Sequence, residues 1–445
     1  MDHENLELIE KIRQQFDNAP YPKIPLDQSP KTDYQSLYIH NLVTAYYLRN
    51  QKIIETEGKV ILDAGCGTGY KSLILAEANP GAKIVGIDLS EESVKLARQR
   101  LQYHGFEARA EFYALSIEEM PDLGLEFDYI NADDVLYLLP DILAGLKTLK
   151  SVLKYQGIIR ANFHSSLQRI AYFRFQELFK MMGLMDENPR ELEMELVREI
   201  VSALKDDVIL KTQTWNRDRA QTQEWILMNY LFQGDKGYTI TEIFSALKAN
   251  DLEFVSMVNW RQWDLLNLFK EQDNLPAFLA MSLPEISLQE RLHLFELLHP
   301  VHRLIDFWCA HTDRTQPFVP VEEWTLSDWE EVRVHLHPQL KTSQAWEDLL
   351  QCINSQKPFE ISRYVPLPAL VPIFIESHVA ACLLPLWEGA CPAQSLVERW
   401  LKLRPLHPVT LEPVSAKTAW EEVKQVLIRL EAFLYLLLER SARPS

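Results

Sequence analysis

KVILDAGCGTGY at Lys59–Tyr70, followed by KIVGIDLS at Lys83–Ser90, decides the fold. Val60-Ile61-Leu62 is an apolar run that predicts a buried strand, and the run ends in Asp63. A turn follows with glycines at Gly65, Gly67 and Gly69, then a helical pattern, then a second apolar run ending in Asp88. A parallel strand that feeds a glycine-rich turn is a nucleotide-binding device, because bare backbone lets a ligand approach closely. An acid one βαβ unit downstream is placed to accept hydrogen bonds from two ribose hydroxyls.

The spacing selects among nucleotides. A dinucleotide fingerprint is G-x-G-x-x-G, with a helix N-terminus aimed at pyrophosphate. Here the glycines run G-x-G-x-G, and Tyr70 stands where the third dinucleotide glycine would be. Asp63 would repel a pyrophosphate and suits a cationic ligand. The string D-A-G-C-G-T-G, with G-I-D-L-S downstream, resembles motif I of the class I S-adenosylmethionine-dependent methyltransferases.

That resemblance implies roles for particular residues. Gly65, Cys66, Gly67 and Gly69 would bring main chain against the methionine part and the adenosine. Asp63 would orient the turn and meet the methionine amino group. Asp88 would take both ribose hydroxyls, and Leu89 would pack on adenine. The turn after the third strand, ALSIEEMP, places Ser116 where the family usually has an acid, with Ile117 against the ring. Ser116 also reads as a helix cap over Glu118–Glu119. At the end of the fourth strand, Asn131 and Asp133 are best placed to face cofactor and acceptor. Adjacent acids Asp133 and Asp134 could raise one carboxyl toward neutrality and supply a base. Asn162 and His164 end the fifth strand, and His164 is an acid–base candidate or a cap for the helix that follows. The catalytic expectations are therefore Asp133, His164 and Asn162.

The chain has 445 residues, enough for two or three domains. A formal charge of −18 argues against a nucleic-acid partner, which needs a basic footprint. The five cysteines show no C-x-x-C spacing and read as reduced thiols of a cytoplasmic protein. The charged N-terminus lacks a signal-peptide core, and no apolar run reaches the length of a membrane span. His335-x-His337 and His299-x-x-His302 lack a partnered cysteine or acid cluster, so no metal is expected.

From Lys59 the chain alternates strand and helix, with strands at Val60–Leu62, Ile84–Ile87, Ala110–Ala114, Phe127–Ala132 and Gly157–Phe163. Alternation of this kind predicts an α/β fold with a doubly wound, mainly parallel, Rossmann-like sheet. After His164 helical patterns accumulate to Leu231, a helical insertion at about 165–236 above the carboxyl ends of the strands. Ile240–Ala249 and Leu252–Val258 close the sheet, and the seventh strand of the family is not placed. The expected domains are a helical lid segment at 1–56, the methyltransferase domain at 57–262, and a separate, mainly helical accessory domain at 263–445. Ser287–His311 and Ala416–Arg440 predict helices there, and Asp33–Ile54 predicts one helix in the lid. The phrase N-A-P-Y-P at Asn18–Pro22 resembles a segment ahead of the core in some bacterial methyltransferases. Tyr21, Tyr34 and Tyr38 are read either as part of a lid over the sulfonium or as packing of the N-terminal helices against the core.

The expected function is methyl transfer from S-adenosylmethionine to an acceptor, a small molecule favoured over a protein side chain. Two other readings stand beside it. One is a non-catalytic S-adenosylmethionine-binding or scaffold protein. The other is an NAD-linked oxidoreductase, disfavoured by G-x-G-x-G and Asp63.

Overall fold

A computed structural model describes residues 3–18, 20–312 and 318–440, so Ala19 of N-A-P-Y-P and the last five residues of the accessory segment lie outside the described residues. Its centre is a sheet of eight strands: β1 (Val60–Ala64), β2 (Lys83–Asp88), β3 (Ala110–Ala114), β4 (Phe127–Ala132), β5 (Leu153–Ser165), β6 (Gly237–Tyr238), β7 (Leu252–Met257) and β8 (Leu304–His311). The order is β3-β2-β1-β4-β5-β8-β7, with β6 pairing the end of β5. Strands β1 to β6 pair with one another in parallel, and β8 runs antiparallel to both β5 and β7. The strand order reverses at β1/β4, and there the carboxyl ends open a crevice in which an open α/β sheet binds ligands. Helices Tyr70–Ala78 and Glu91–Tyr103 follow β1 and β2, and Ser90 caps the second by accepting from Ser93 N at 3.1 Å.

β8 is the strand that sequence reading could not place. It lies within Ser287–His311, expected as helix; the helix there spans only Leu288–Leu298. In LIDFWCAH the residues alternate: Ile305, Phe307 and Cys309 enter the core on one face of the sheet, Trp308 and Ala310 the core on the other. That is a period of two, partly hidden because both faces are buried and the run reads as continuously apolar. The central sheet therefore draws its middle strand between β5 and β7 from beyond residue 262.

Two further expectations change. Asp33–Ile54 is not one helix but two, Tyr34–Ile39 and Leu42–Asn50; Asn41 starts the second by accepting from Val43 N at 3.0 Å. The C-terminal part is not separate. Its residues Leu336, Leu340, Leu427 and Tyr435 share one apolar core with Ile61, Tyr129, Ile158 and Trp308 of the sheet and with Tyr38 and Leu42. It also contains a three-stranded sheet of Cys391–Pro392, Arg333–Leu336 and Leu436–Glu439, so Ala416–Arg440 is a helix only to Glu431. Helix Leu42–Asn50 is the rivet between the two parts. Tyr46 Oη donates to Asp128 O at 2.9 Å on β4, Thr44 Oγ1 meets His337 Nε2 at 3.0 Å, and Tyr47 Oη donates to Glu431 Oε1 at 2.8 Å.

Burial pushes the Glu431 carboxyl up from 4.5 to about 7; the Tyr47 hydrogen bond opposes the shift and Glu322 adds to it. A carboxyl raised in the folded state adds stability below its unfolded value, and loses it as pH rises through its folded value. Glu431→Gln keeps an acceptor for Tyr47 and cannot ionise. The variant should melt with the wild type near pH 4.5 and become progressively more stable by pH 8, by on the order of 3 kcal/mol. A difference that does not vary with pH would show that Glu431 does not titrate in this range.

Candidate active site

The turn after β1 is shaped by its glycines. Gly65, Gly67 and Gly69 all have positive φ, at 75°, 49° and 79°. A Cβ on Gly65 would stand 2.9 Å from Val135 Cγ2, and one on Gly67 would stand 2.3 Å from Tyr21 O. Gly69 serves differently from its expected role: its Cβ would meet Ala97 Cα at 2.6 Å, so it seats the helix after β2, and it does not line the cavity. Asp88 closes the turn from β2. Its Oδ2 accepts from Gly67 N and its Oδ1 from Ser90 N, both at 2.9 Å. Burial raises the Asp88 carboxyl while those two amides lower it, leaving it above its ordinary value.

A cavity of about 630 Å³ opens over this turn and runs under the helical insertion. Gly65, Cys66, Gly67, Asp88, Asp133 and His164 line it. An adjoining apolar slot holds Leu89, Ser116 and Ile117 between Asp88 and the N-terminal helix His3–Asn18, whose Ile12 and Phe16 form its far wall. Ser116 lines the slot, and its Oγ accepts from Glu119 N at 3.2 Å in the turn ahead of Met120–Leu123.

Asp63, Asn131 and Asn162 lie behind the cavity wall. Asp63 is 1% exposed, accepts from Ser72 Oγ at 2.5 Å and from Asn131 Nδ2 at 2.8 Å, and is raised by burial. Its carboxylate ties β1 to β4 and to the following helix, with no oxygen facing a ligand among the lining residues. Asn162 Nδ2 donates to Asp133 Oδ1, and Asn162 Oδ1 accepts from Asp134 N at 2.8 Å, which holds Asp134 at φ 59°.

Asp133 is not the near-neutral base that adjacent acids suggested. Lys71 Nζ lies 2.7 Å from Asp133 Oδ2, and Arg160 Nη1 donates to the same oxygen at 3.2 Å. Burial works against ionisation, but Arg160 and Lys71 prevail and hold the carboxyl well below the ordinary range. His164 is likewise occupied at both nitrogens: Nδ1 meets Asp235 Oδ1 at 2.6 Å and Nε2 meets Arg303 Nη1 at 2.8 Å. Because guanidinium only donates, Nε2 accepts and Nδ1–H donates to Asp235. Burial and the nearby Arg169 and Arg303 outweigh Asp235 and keep the imidazole below its usual pKa, hence neutral at pH 7. It stacks on Tyr137 with ring centroids 4.0 Å apart.

Sequence reading missed Lys71, Arg160, Asp235 and Arg303. Arg160 carried a signal, a charge in the middle of the apolar run GIIRANF, which demands a buried partner. The others depend on contacts made far along the chain.

The Pro-rich lead forms a strap on the turn. Thr68 N donates to Tyr21 O at 3.1 Å and Thr68 Oγ1 to Pro22 O at 2.8 Å. Arg100 fastens it: Nη1 donates to Pro25 O at 2.7 Å, Nη2 to Ile24 O at 2.8 Å and Nε to Thr68 O at 3.0 Å. Tyr21 lines the cavity. Tyr34 and Tyr38 do not. Tyr34 packs edge-on against Tyr364 and Tyr38 against His337, both in the C-terminal part.

Residues 55–225 match the family model described as a methyltransferase domain. They form a class I S-adenosylmethionine-dependent methyltransferase domain. An uncharacterized protein of Synechococcus sp. is 26% identical over 70% of this chain and 73% of its own length. A tRNA U34 carboxymethyltransferase of Campylobacter lari is 28% identical over 36% of this chain, and a ubiquinone biosynthesis O-methyltransferase of Bordetella avium 29% over 32%. The chain spans about half the length of these two named relatives, 54% and 55%. The structure of PKMT2 from Rickettsia typhi has the same fold, at a TM-score of 0.55 and 17% identity over 93% of this chain and 76% of that one. S-adenosylmethionine is the cofactor of the class I family, and the site fits it. Gly65 and Gly67 present bare main chain to the cavity, Asp88 borders both cavity and slot, and Leu89 and Ile117 offer an apolar wall. Among the described residues, no helix is long and apolar enough to cross a membrane.

Two variants test this assembly. Asp88→Ala frees Gly67 N and, on the reading of Asp88 as the ribose acceptor, should remove two charge-assisted hydrogen bonds of about 1.5–3 kcal/mol each. Calorimetric affinity for S-adenosylhomocysteine should fall at least roughly tenfold, with an unchanged circular-dichroism spectrum; unaltered affinity would remove Asp88 from the site. Arg100→Ala should release the strap. Hydrogen exchange should quicken over residues 20–26 ahead of the central sheet, and exchange at wild-type rates would show that Thr68 alone holds it.

Proposed function

We propose that this chain transfers the methyl group of S-adenosylmethionine to a small-molecule acceptor. The observation that carries this reading is the continuity of one cavity from the glycine turn and Asp88 to a chamber under the insertion, where Tyr172, Trp225 and Asn229 line it. A pocket between an α/β sheet edge and a helical roof is the usual shape of a small-ligand site. The charge of −18 supports a non-nucleic-acid acceptor. The relatives' names, one for tRNA and one for ubiquinone biosynthesis, span unlike acceptors and do not choose between them.

When bound, S-adenosylmethionine supplies an electrophilic methyl carried on a sulfonium. The chain's own work is to bind, orient and dry the site. The Gly65–Gly67 main chain and Asp88 would hold the cofactor, with adenine in the slot of Leu89, Ser116 and Ile117. Asp133, Asn162 and His164 act in this reading as positioning groups. Asp133 fixes Lys71 beside the turn, Asn162 sets the backbone of Asp134, and His164 holds Arg303. His164 has its one free lone pair taken by Arg303, and Asp133 is held ionised between Lys71 and Arg160, which makes it a weak base. The site therefore suits a nucleophile that arrives deprotonated.

A tritiated-methyl assay over size-fractionated cell extract tests the acceptor class. Label should enter the low-molecular-mass fraction and disappear with Asp88→Ala. Label confined to protein or RNA would overturn the small-molecule reading.

A further inference from the structure

Arg303 stands at the start of β8, a strand that the family expectation left unplaced, and the function above uses it only as the partner of His164. Because β8 is antiparallel to β5, its first residues reach the same edge at which β1, β4 and β5 end: Leu304 pairs with His164, and Ser165 N donates to Arg303 O at 2.9 Å. Between β1 and β8 lie β4 and β5. Three strand spacings of about 4.8 Å put roughly 14 Å between the glycine turn and the root of Arg303. Its side chain is half-exposed and lines the cavity on the acceptor side.

The way this guanidinium is held is informative. Its Nη1 donates to His164 Nε2, a neutral acceptor, while Asp134 Oδ1 lies 3.6 Å from Nη2, beyond hydrogen-bond length. Asp134, shared with Lys71, still pairs with it in charge at that distance, so the fork keeps most of its five donors unbonded while part of its charge is met. A buried relay fixes its aim. Asp235, with no exposed side-chain surface, accepts from His164 Nδ1, from Arg169 Nη2 at 2.7 Å and from Gln176 Nε2 at 2.9 Å. Arg169 is thereby neutralised, and Lys71 is taken by Asp133 and Asp134. Half-buried Tyr172 and Trp225 provide flat apolar wall in the same chamber.

We propose that Arg303 is the anion-recognition residue of the acceptor pocket, and that the acceptor carries a carboxylate on a flat apolar body. The inference rests on the methyltransferase reading above. It is tested with benzoate as probe, titrated calorimetrically into full-length protein saturated with S-adenosylhomocysteine. Wild type should bind benzoate at least tenfold tighter than the neutral isostere benzamide. Arg303→Met should abolish that preference and Arg303→Lys should keep part of it. His164→Gln should weaken it through loss of aim. In both Arg303 variants, S-adenosylhomocysteine affinity should stay within about twofold and the melting temperature should be retained. Equal binding of benzoate and benzamide by the wild type, or an undiminished preference in Arg303→Met, would overturn the proposal. So would a loss of S-adenosylhomocysteine affinity in Arg303→Met with 5′-methylthioadenosine binding intact, because Arg303 would then grip the cofactor's own carboxylate. Failure of the wild type to bind S-adenosylhomocysteine would instead strike the methyltransferase reading itself.

Discussion

One buried guanidinium holds the working edge of this molecule together. Arg160, 4% exposed in the middle of β5, donates from Nε to Asp306 Oδ1 at 3.0 Å and from Nη2 to Asp306 Oδ2 at 2.7 Å. From Nη1 it reaches Asn131 Oδ1, Asp133 Oδ2 and His40 Nε2. A single side chain thus ties β5 to β8 on one side, β4 on the other, and the N-terminal helices above. A buried charge missing any of these partners would be costly, since removing one member of such a pair typically destabilises by about 3–5 kcal/mol. The network also sets the chemistry, because the cation that seats β8 in the sheet is the one that keeps Asp133 ionised and locked.

Conflicts between local pattern and global fold explain what could be read from the chain. The turn at Gly65–Gly69, Asp88, and strands β1 to β5 were legible because a parallel strand, its glycines and its acid are contiguous and their spacing is fixed by ligand shape. β8 was not. Its eight residues LIDFWCAH follow a strong helix pattern, and its alternation is visible only once both faces are known to be buried. The domain boundary failed with it, since an accessory segment that follows the sheet's last strand was measured from the wrong strand.

The site divided in the same way. Residues that reach the cavity through contiguous main chain, such as Gly65 and Gly67, were legible in the sequence. Residues whose role is to hold another side chain were misassigned or unseen. Asp63 and Asn131 turned out to face each other and the helix, and Asp235 acts across a sequence gap of 71 residues on His164. No local spacing encodes such a contact. An isolated charge inside an apolar strand, as with Arg160 and Asp306, is the one trace that these networks leave in the sequence.

The clamp on the strap touches only carbonyl oxygens: Tyr21 and Pro22 through Thr68, Ile24 and Pro25 through Arg100. Such a clamp reads the path of the chain and is indifferent to most of its side chains. Mutational drift at Lys23 or Ile24 should therefore be cheap, whereas inserting or deleting a single residue between Pro22 and Ile24 would slide one pair of carbonyls out of register with the other. Length, more than letter, is what this segment has to conserve.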